Sequence, residues 1–177
     1  KDGVEAVNTD LSNTENAPVE EMEIGYPVRI VKYELVPDSG GPGQWRGGLG
    51  IRRDYHFPYG PATFCILSDR AKFAPWGILG GKQATPSRYV LNPDTQEPQP
   101  LRSKALVEVQ TGDVISVHTA GGGGYGDPHL RDPESVRRDV QLGKVSVRQA
   151  RDDYGVCLTP DGAIDREATD QSRQRDR

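Results

Sequence analysis

The sequence predicts a β-rich α+β domain: a mostly antiparallel sheet or sandwich with long glycine-rich loops, followed by two short C-terminal helices. Three observations carry this. Short β-branched and aromatic runs with alternating polarity recur between residues 28 and 118, the pattern of half-buried strands. Three glycine-dense stretches interrupt them: SGGPGQWRGGLG at 39–50, PWGILGGK at 75–82 and GGGGYGDP at 121–128. Beyond residue 131 the apolar period becomes helical, with cap residues at the ends.

In chain order, residues 1–22 form an opening segment without a period. Asn8, Thr9, Asp10, Ser12, Asn13, Thr14, Asn16 and Pro18 make it extended or turn-rich. Residues 23–131 read as the β-rich domain. VRIVKYELV at 28–36 is a strand, ended by the turn chemistry of PDSGGPG. GIRRDYHF at 50–57 alternates up to Pro58, and ATFCIL at 62–67 is a short apolar run that reads as a buried strand. SRYVL at 87–91 is a fourth strand. ALVEV at 105–109 and VISVH at 114–118 flank QTGD at 110–113, a hairpin or tight turn.

Residues 132–155 read as a helical hairpin. Asp132 caps the first helix, Pro133 takes its first position, Val136 and Val140 are four apart, and Gly143 closes it. Ser146 and Gln149 form a capping box, Val145 and Ala150 its staple pair, and Gly155 the stop. Residues 156–177 are charged and almost free of large apolar side chains, so the sequence predicts a disordered tail.

Composition bounds the function. At 177 residues the chain is one domain, or one domain and a tail. Apolar residues make up 34% and charged residues 27%, and Gly and Pro together about a fifth, lean material for a self-sufficient core. Burial against a partner is therefore expected. The net charge is −4 with Lys and Arg scattered, which argues against nucleic acid. No apolar run approaches the roughly 18 residues of a membrane span, and no signal peptide opens the chain. Cys65 and Cys157 lie far apart, as a buried thiol and a near-terminal thiol of a reducing cytoplasm. The chain opens on Lys1, Asp2 and Gly3 without Met, and so reads as part of something longer.

Each chemical motif competes with a structural reading. Gly121, Gly123 and Gly126 satisfy GxGxxG, but a dinucleotide loop needs a helix to begin inside the motif, and here Asp127-Pro128 follows. Gly81-Lys82 lacks the rest of a phosphate-binding P-loop. His56, His118 and His129 do not pair at metal-ligand spacing, and the first two sit in strands, where a satisfied structural histidine is the commoner outcome. Arg46 lies in a glycine loop, where its fork could meet a carboxylate or phosphate; Asp69 and Arg70 follow a strand, with an Asp–Arg pair that fixes a strand end as the competing reading. Tyr26, Tyr33, Trp45, Tyr55 and Trp76 are core or interface anchors more often than ligand platforms.

Taken together, NTENAPVE at 13–20, YPVR at 26–29, DSGGPGQWRGGLG at 38–50, SDR at 68–70, PWG at 75–77, Ser103-Lys104 and TAGGGGYGDP at 119–128 resemble the hydantoinase B/5-oxoprolinase family. Asp132-Pro133, GKVS at 143–146 and ARDDYG at 150–155 continue it, so the resemblance is collinear from about residue 8 to 156. It implies the C-terminal portion of a B-type subunit that works with a hydantoinase A-type, ATP-handling subunit or domain. Such complexes open cyclic amides such as N-methylhydantoin or 5-oxoproline, and related ones carboxylate ketones such as acetone or acetophenone. ATP would phosphorylate the amide oxygen and create an electrophile that water can attack. The family's metal-associated segment has no counterpart here, so no metal ligands are carried over. ATP and a divalent metal are implied for the complete complex, and none is expected on this portion alone. Arg102 and Ala120 stand where the family pattern has proline.

The reading is a cytoplasmic part of an ATP-dependent cyclic-amide hydrolase, inactive alone, that shapes the substrate site and contacts the ATP-handling partner and the upstream part of its own polypeptide. Arg46, Asp69 and Arg70 are the candidates for substrate or phosphate contact. Gly121, Gly122, Gly123 and Gly124 would allow close backbone approach, with Tyr125 and Asp127 as polar members of the loop. A ketone carboxylase component and a non-catalytic assembly module are the alternatives.

Overall fold

The structure is a computed structural model that describes residues 1–7 and 15–175. The Asn- and Thr-rich run at 8–14 of the opening segment lies outside the described residues. Among the described residues, seven strands form two antiparallel sheets. β1 (Arg29–Leu35), β2 (Ile51–His56), β7 (Val114–His118), β4 (Arg88–Leu91) and β5 (Gln99–Leu101) lie side by side in that order. β3 (Ala62–Leu67) and β6 (Lys104–Val109) form a separate pair. The 110–113 segment is thus a tight turn between sheets and not a hairpin. Gly112 takes φ 92°, and Asp113 accepts the Gln110 N–H.

The β3–β6 pair covers the centre of the larger sheet. Phe57, Val109 and Ile115 form the core there, with Tyr55, Phe64, Val107 and Val117 around them, and the Phe64 ring lies tilted against Tyr55 with centroids 5.3 Å apart. The predicted buried strand at 62–67 buries one face only. Cys65 and Leu67 are exposed, as is Leu106, which pairs with Cys65. The expectation of a buried Cys65 is therefore corrected: in a two-stranded layer, every second side chain faces outward.

The helical caps form as the sequence predicts. Asp132 accepts from Ser135 N–H at the start of α2 (Pro133–Gln141), and Ser146 from Gln149 N–H at the start of α3 (Val147–Tyr154). Gly155 ends α3 in the left-handed region at φ 63°. The capping box is only half made, because Ser146 N–H is taken by Asp38. Val136, Val145, Ala150, Tyr154 and Val156 make a second core beneath these helices.

Two helices lie outside the expected hairpin. α1 (Val19–Gly25) replaces the end of the extended opening segment. The tail, expected to be disordered, continues the second core through fully buried Val156 and then forms α4 (Arg166–Arg175). Its anchors are polar, which hid it from hydropathy: Thr169 accepts from Cys157 N–H, and Arg173 donates to the carbonyls of Tyr154 and Arg131. Among the described residues, no helix is long and apolar enough to cross a membrane.

Candidate functional site

The three glycine stretches come together in one place and bind each other. Trp45 and Tyr125 exchange two backbone hydrogen bonds of 3.0 Å. Ile78 donates to Gly124 and accepts from Gly126, both at 2.9 Å. Gly41 N–H reaches Gly122, Gly122 N–H reaches Gly48, and Gly124 N–H reaches Lys82, at 2.8–3.0 Å. The segments lie backbone against backbone with no side chain between them.

Close approach, not unusual torsion, is what demands glycine here. Gly121, Gly122, Gly123 and Gly124 all lie outside the left-handed region, so their φ would suit other residues. Space would not. A Cβ on Gly121 would stand 2.0 Å from the Ser39 carbonyl oxygen, and one on Gly123 1.9 Å from that of Trp76. One on Gly124 would meet the Pro42 carbonyl at 2.0 Å, and one on Gly47 the Gly122 carbonyl at 1.8 Å. The bare backbone of 121–124 was expected to approach a substrate or an absent segment. In the chain as described, its partners are the other two glycine loops.

This braid forms one wall of an open cleft of about 1100 Å³. Gly47, Gly48, Gly121, Gly122 and Gly123 line it, with Trp45 and Tyr125 at one side. Tyr33 comes from β1, Ile51 opens β2 and Thr119 directly follows β7, while Gly3, Val4, Ala6 and Val7 close the far side. The cleft can hold a flat polar molecule between aromatic rings and peptide groups. Its titratable lining among the described residues is Lys1, Glu15, Tyr33, Arg46 and Tyr125, which contains no nucleophile–base pair. Nor do the described residues gather three His, Cys, Asp or Glu side chains that could hold a metal ion. They do not fit the divalent metal implied for the complete complex.

The predicted site residues separate into different roles. Arg46 is 2% exposed and committed to the fold: it donates to Glu5 at 2.7 Å, to Asp139 at 3.3 Å and to the Gly47 carbonyl at 2.7 Å. Asp139 also receives Arg131, which makes two further bonds to Asp2. Burial works against the Arg131 charge, but the Asp2 hydrogen bonds and the Asp139 carboxylate outweigh it and raise its pKa. Burial likewise opposes ionisation of Asp2, and its Arg131 bonds overcome that and lower its pKa. Arg46 thus reaches the cleft lining with its guanidinium already held by these partners.

Asp69 and Arg70 sit away from the cleft lining, at the end of β3. Asp69 is exposed and pairs with Lys104 at 3.4 Å, in place of the Asp–Arg pair of the competing reading. Arg70 takes φ 61° and lies over the Trp76 ring at 5.1 Å. Tyr125 is half exposed beside Trp45, and Asp127 caps a single 3-10 turn at Pro128–Leu130 through His129 N–H. Of the predicted site residues, Gly121, Gly122, Gly123 and Tyr125 thus meet with Arg46 around the cleft, and Gly124 stands behind them. Tyr33 and Trp45 line it too, although the sequence favoured them as anchors. The wall from residues 3–7 carried no signal in the sequence.

His118 is buried in β7, and of the satisfied structural histidine that its strand position suggested it is only half one, because its Nδ1 has no partner. Its Nε2 lies 2.9 Å from Ser116 Oγ, Ser116 donates to Asp54, and Arg52 grips Asp54 with both its Nε and its terminal nitrogen. Burial, with the Arg88 and Arg52 charges on either side, lowers its pKa from 6.5 to about 4.

Comparison with known proteins places this geometry. The family described as Hydantoinase B/oxoprolinase matches residues 1–128. The B-type subunit of a putative D-/L-hydantoinase from Pseudomonas sp. (strain NS671) is 38% identical over 176 residues, which is 98% of this chain and 30% of that protein. The crystal structure of ATP-dependent caprolactamase from Pseudomonas jessenii superposes with a TM-score of 0.80 and 33% identity, over 89% of this chain and 28% of that one. The nucleotide-free structure of acetone carboxylase gives a TM-score of 0.81 over 99% of this chain and 28% of that one, at 21% identity, and so shares the fold. The chain spans under a third of the length of each.

Proposed function

The chain belongs to the hydantoinase B/oxoprolinase family, and from that membership we propose that it is the C-terminal portion of the B-type subunit of an ATP-dependent cyclic-amide hydrolase. The observation that carries this is the caprolactamase comparison. At 33% identity over 89% of the chain, likeness to an enzyme named for a cyclic amide exceeds the 21% found with acetone carboxylase. The role of this portion is to wall the substrate cleft with the glycine braid and to meet a hydantoinase A-type, ATP-handling partner. Its lack of a nucleophile–base pair and of a metal-ligand set among the described residues supports a binding role over a chemical one.

The test is substrate-dependent ADP release by the complete B-type polypeptide assembled with its ATP-handling partner. Release stimulated by a hydantoin, a lactam or 5-oxoproline, without bicarbonate, is the expected result. Turnover that requires a ketone and bicarbonate would overturn the reading in favour of a carboxylase. On the same reading, the 177 residues alone hydrolyse neither ATP nor a cyclic amide.

A further inference from the structure

The arginines of this chain differ in one respect that the function above does not use. Arg46 and Arg131 share Asp139 and hold Glu5 and Asp2, and Arg52 holds Asp54. Arg53 is 5% exposed, yet among the described residues no carboxylate lies within ion-pair distance of it. Strand alternation is the cause: Arg52 and Asp54 share one face of β2, and Arg53 points to the other. Its guanidinium lies over the Tyr33 ring at 5.0 Å and the Tyr55 ring at 5.4 Å. One terminal nitrogen reaches Met22 Sδ at 3.1 Å and, at 3.5 Å, the Ala17 carbonyl, and Nε has no acceptor. A thioether is a weak acceptor, and aromatic faces offset only part of the penalty of burying an unpaired cation.

The cover over this cation is thin. Ala17 and Met22 belong to a segment whose helix, α1, has no buried residue. On the cleft side stands Tyr33, which lines the cleft and whose hydroxyl accepts from Asn16. We propose that Arg53 is an anion-binding residue: its guanidinium receives the oxyanion of a small ligand, a carboxylate or a phosphate group, that enters from the cleft past Tyr33. The planar fork matches either group in two-bond geometry. Such a ligand supplies the counter-charge that the described chain does not, and it replaces the weak contacts to Met22 and Ala17. This assignment stands on the surroundings of Arg53 and does not depend on the hydrolase reading.

The test follows the proton–nitrogen signal of Arg53 Nε in the 177-residue chain by nuclear magnetic resonance. The chain is titrated separately with sodium acetate, inorganic phosphate and sodium chloride at matched ionic strength. A saturable shift with acetate or phosphate, at concentrations about tenfold below any response to chloride, is expected. Tighter acetate binding assigns a carboxylate ligand, and tighter phosphate binding a phosphoryl group. No saturable shift with either, or one equal to that of chloride, overturns the proposal. Arg53→Lys keeps the charge without the fork and weakens the bound oxyanion by about tenfold; unchanged binding in that variant also overturns it. The wild-type titration involves no substitution, so the test stands even where a buried replacement disturbs folding.

Discussion

At the scale of single residues, His118 makes stability depend on pH. Because Ser116 gives its proton to Asp54, His118 must donate through Nε2–H, and its Nδ1 is left bare, buried and without a partner. Protonating Nδ1 would create a charge between Arg52 and Arg88. With a folded pKa near 4 and an ordinary value of 6.5, the unfolded chain binds this proton between those limits and the folded chain does not. Stability therefore rises with pH across that window, is fully present above 6.5, and is lost as pH falls towards 4. The loss amounts to at most about 3 kcal/mol. Urea denaturation at about pH 7 and about pH 4.5, compared between wild type and His118→Gln, measures it. The variant is expected to lose markedly less stability on acidification, and equal losses would remove His118 as the cause. The strand pattern read both His56 and His118 as structural histidines, and only the fold separates the partly buried His56 from the buried His118. Arg46 shows the converse: its loop was legible, but the carboxylates that occupy it come from residues 5 and 139, which no local pattern connects.

At the scale of elements, the loops were as informative as the strands. The strands at 28–36, 50–57, 62–67, 87–91, 105–109 and 114–118 were legible as β-branched, aromatic, alternating or short apolar runs between turn residues, and α2 and α3 because their caps are side chains at fixed offsets. β5 (Gln99–Leu101) escaped because three residues carry no period. α1 escaped because it buries nothing, and α4 because it docks through Thr169 and Arg173. The glycine loops were recognised as places where side chains would obstruct, while their mutual partnership depended on the fold. A methyl group at Gly47 meets the Gly122 peptide, which is fixed by hydrogen bonds to Gly41 and Gly48 and cannot swing aside as a flexible side chain would. Gly47→Ala is therefore expected to destabilise by about 3 kcal/mol or more, lowering the thermal midpoint by about 6–12 °C. Gly25, at the end of α1, has no atom within 4 Å of an added Cβ and no positive φ. Gly25→Ala should leave the midpoint unchanged or raise it, since alanine narrows the unfolded ensemble. Calorimetry of both variants checks the pair; comparable midpoints would show that the braid yields.

At the scale of the whole molecule, two apolar cores are joined by polar and peptide contacts. The sheet core centres on Phe57, Val109 and Ile115, and the helical core on Val136, Val145, Ala150, Tyr154 and Val156. The described hydrophobic clusters do not merge, which fits the lean composition. Much large apolar surface stays outside, at Leu67, Leu106, Phe73, Trp76 and Leu79, in a chain under a third the length of its relatives. One link between the two cores is the ion network, in which Asp139 of α2 receives both Arg46 of the glycine braid and Arg131. Sequence could not reveal this link, because its members stand at 2, 5, 46, 131, 139 and 144. Removing one member of a buried network costs about 3–5 kcal/mol, because the remaining charges lose their compensation. Asp139→Asn leaves two buried guanidinium groups competing for Glu5 and Asp2, both nearer the surface. The loss should fall on the joint between the cores. Amide hydrogen exchange of the variant is expected to show α2 and α3 losing protection well before β2 and β7 do, with the sheet core still closed. Equal loss of protection in helices and sheet would mean that the cores are coupled by something other than Asp139, and a change below about 1 kcal/mol would mean that the network does not bind them at all.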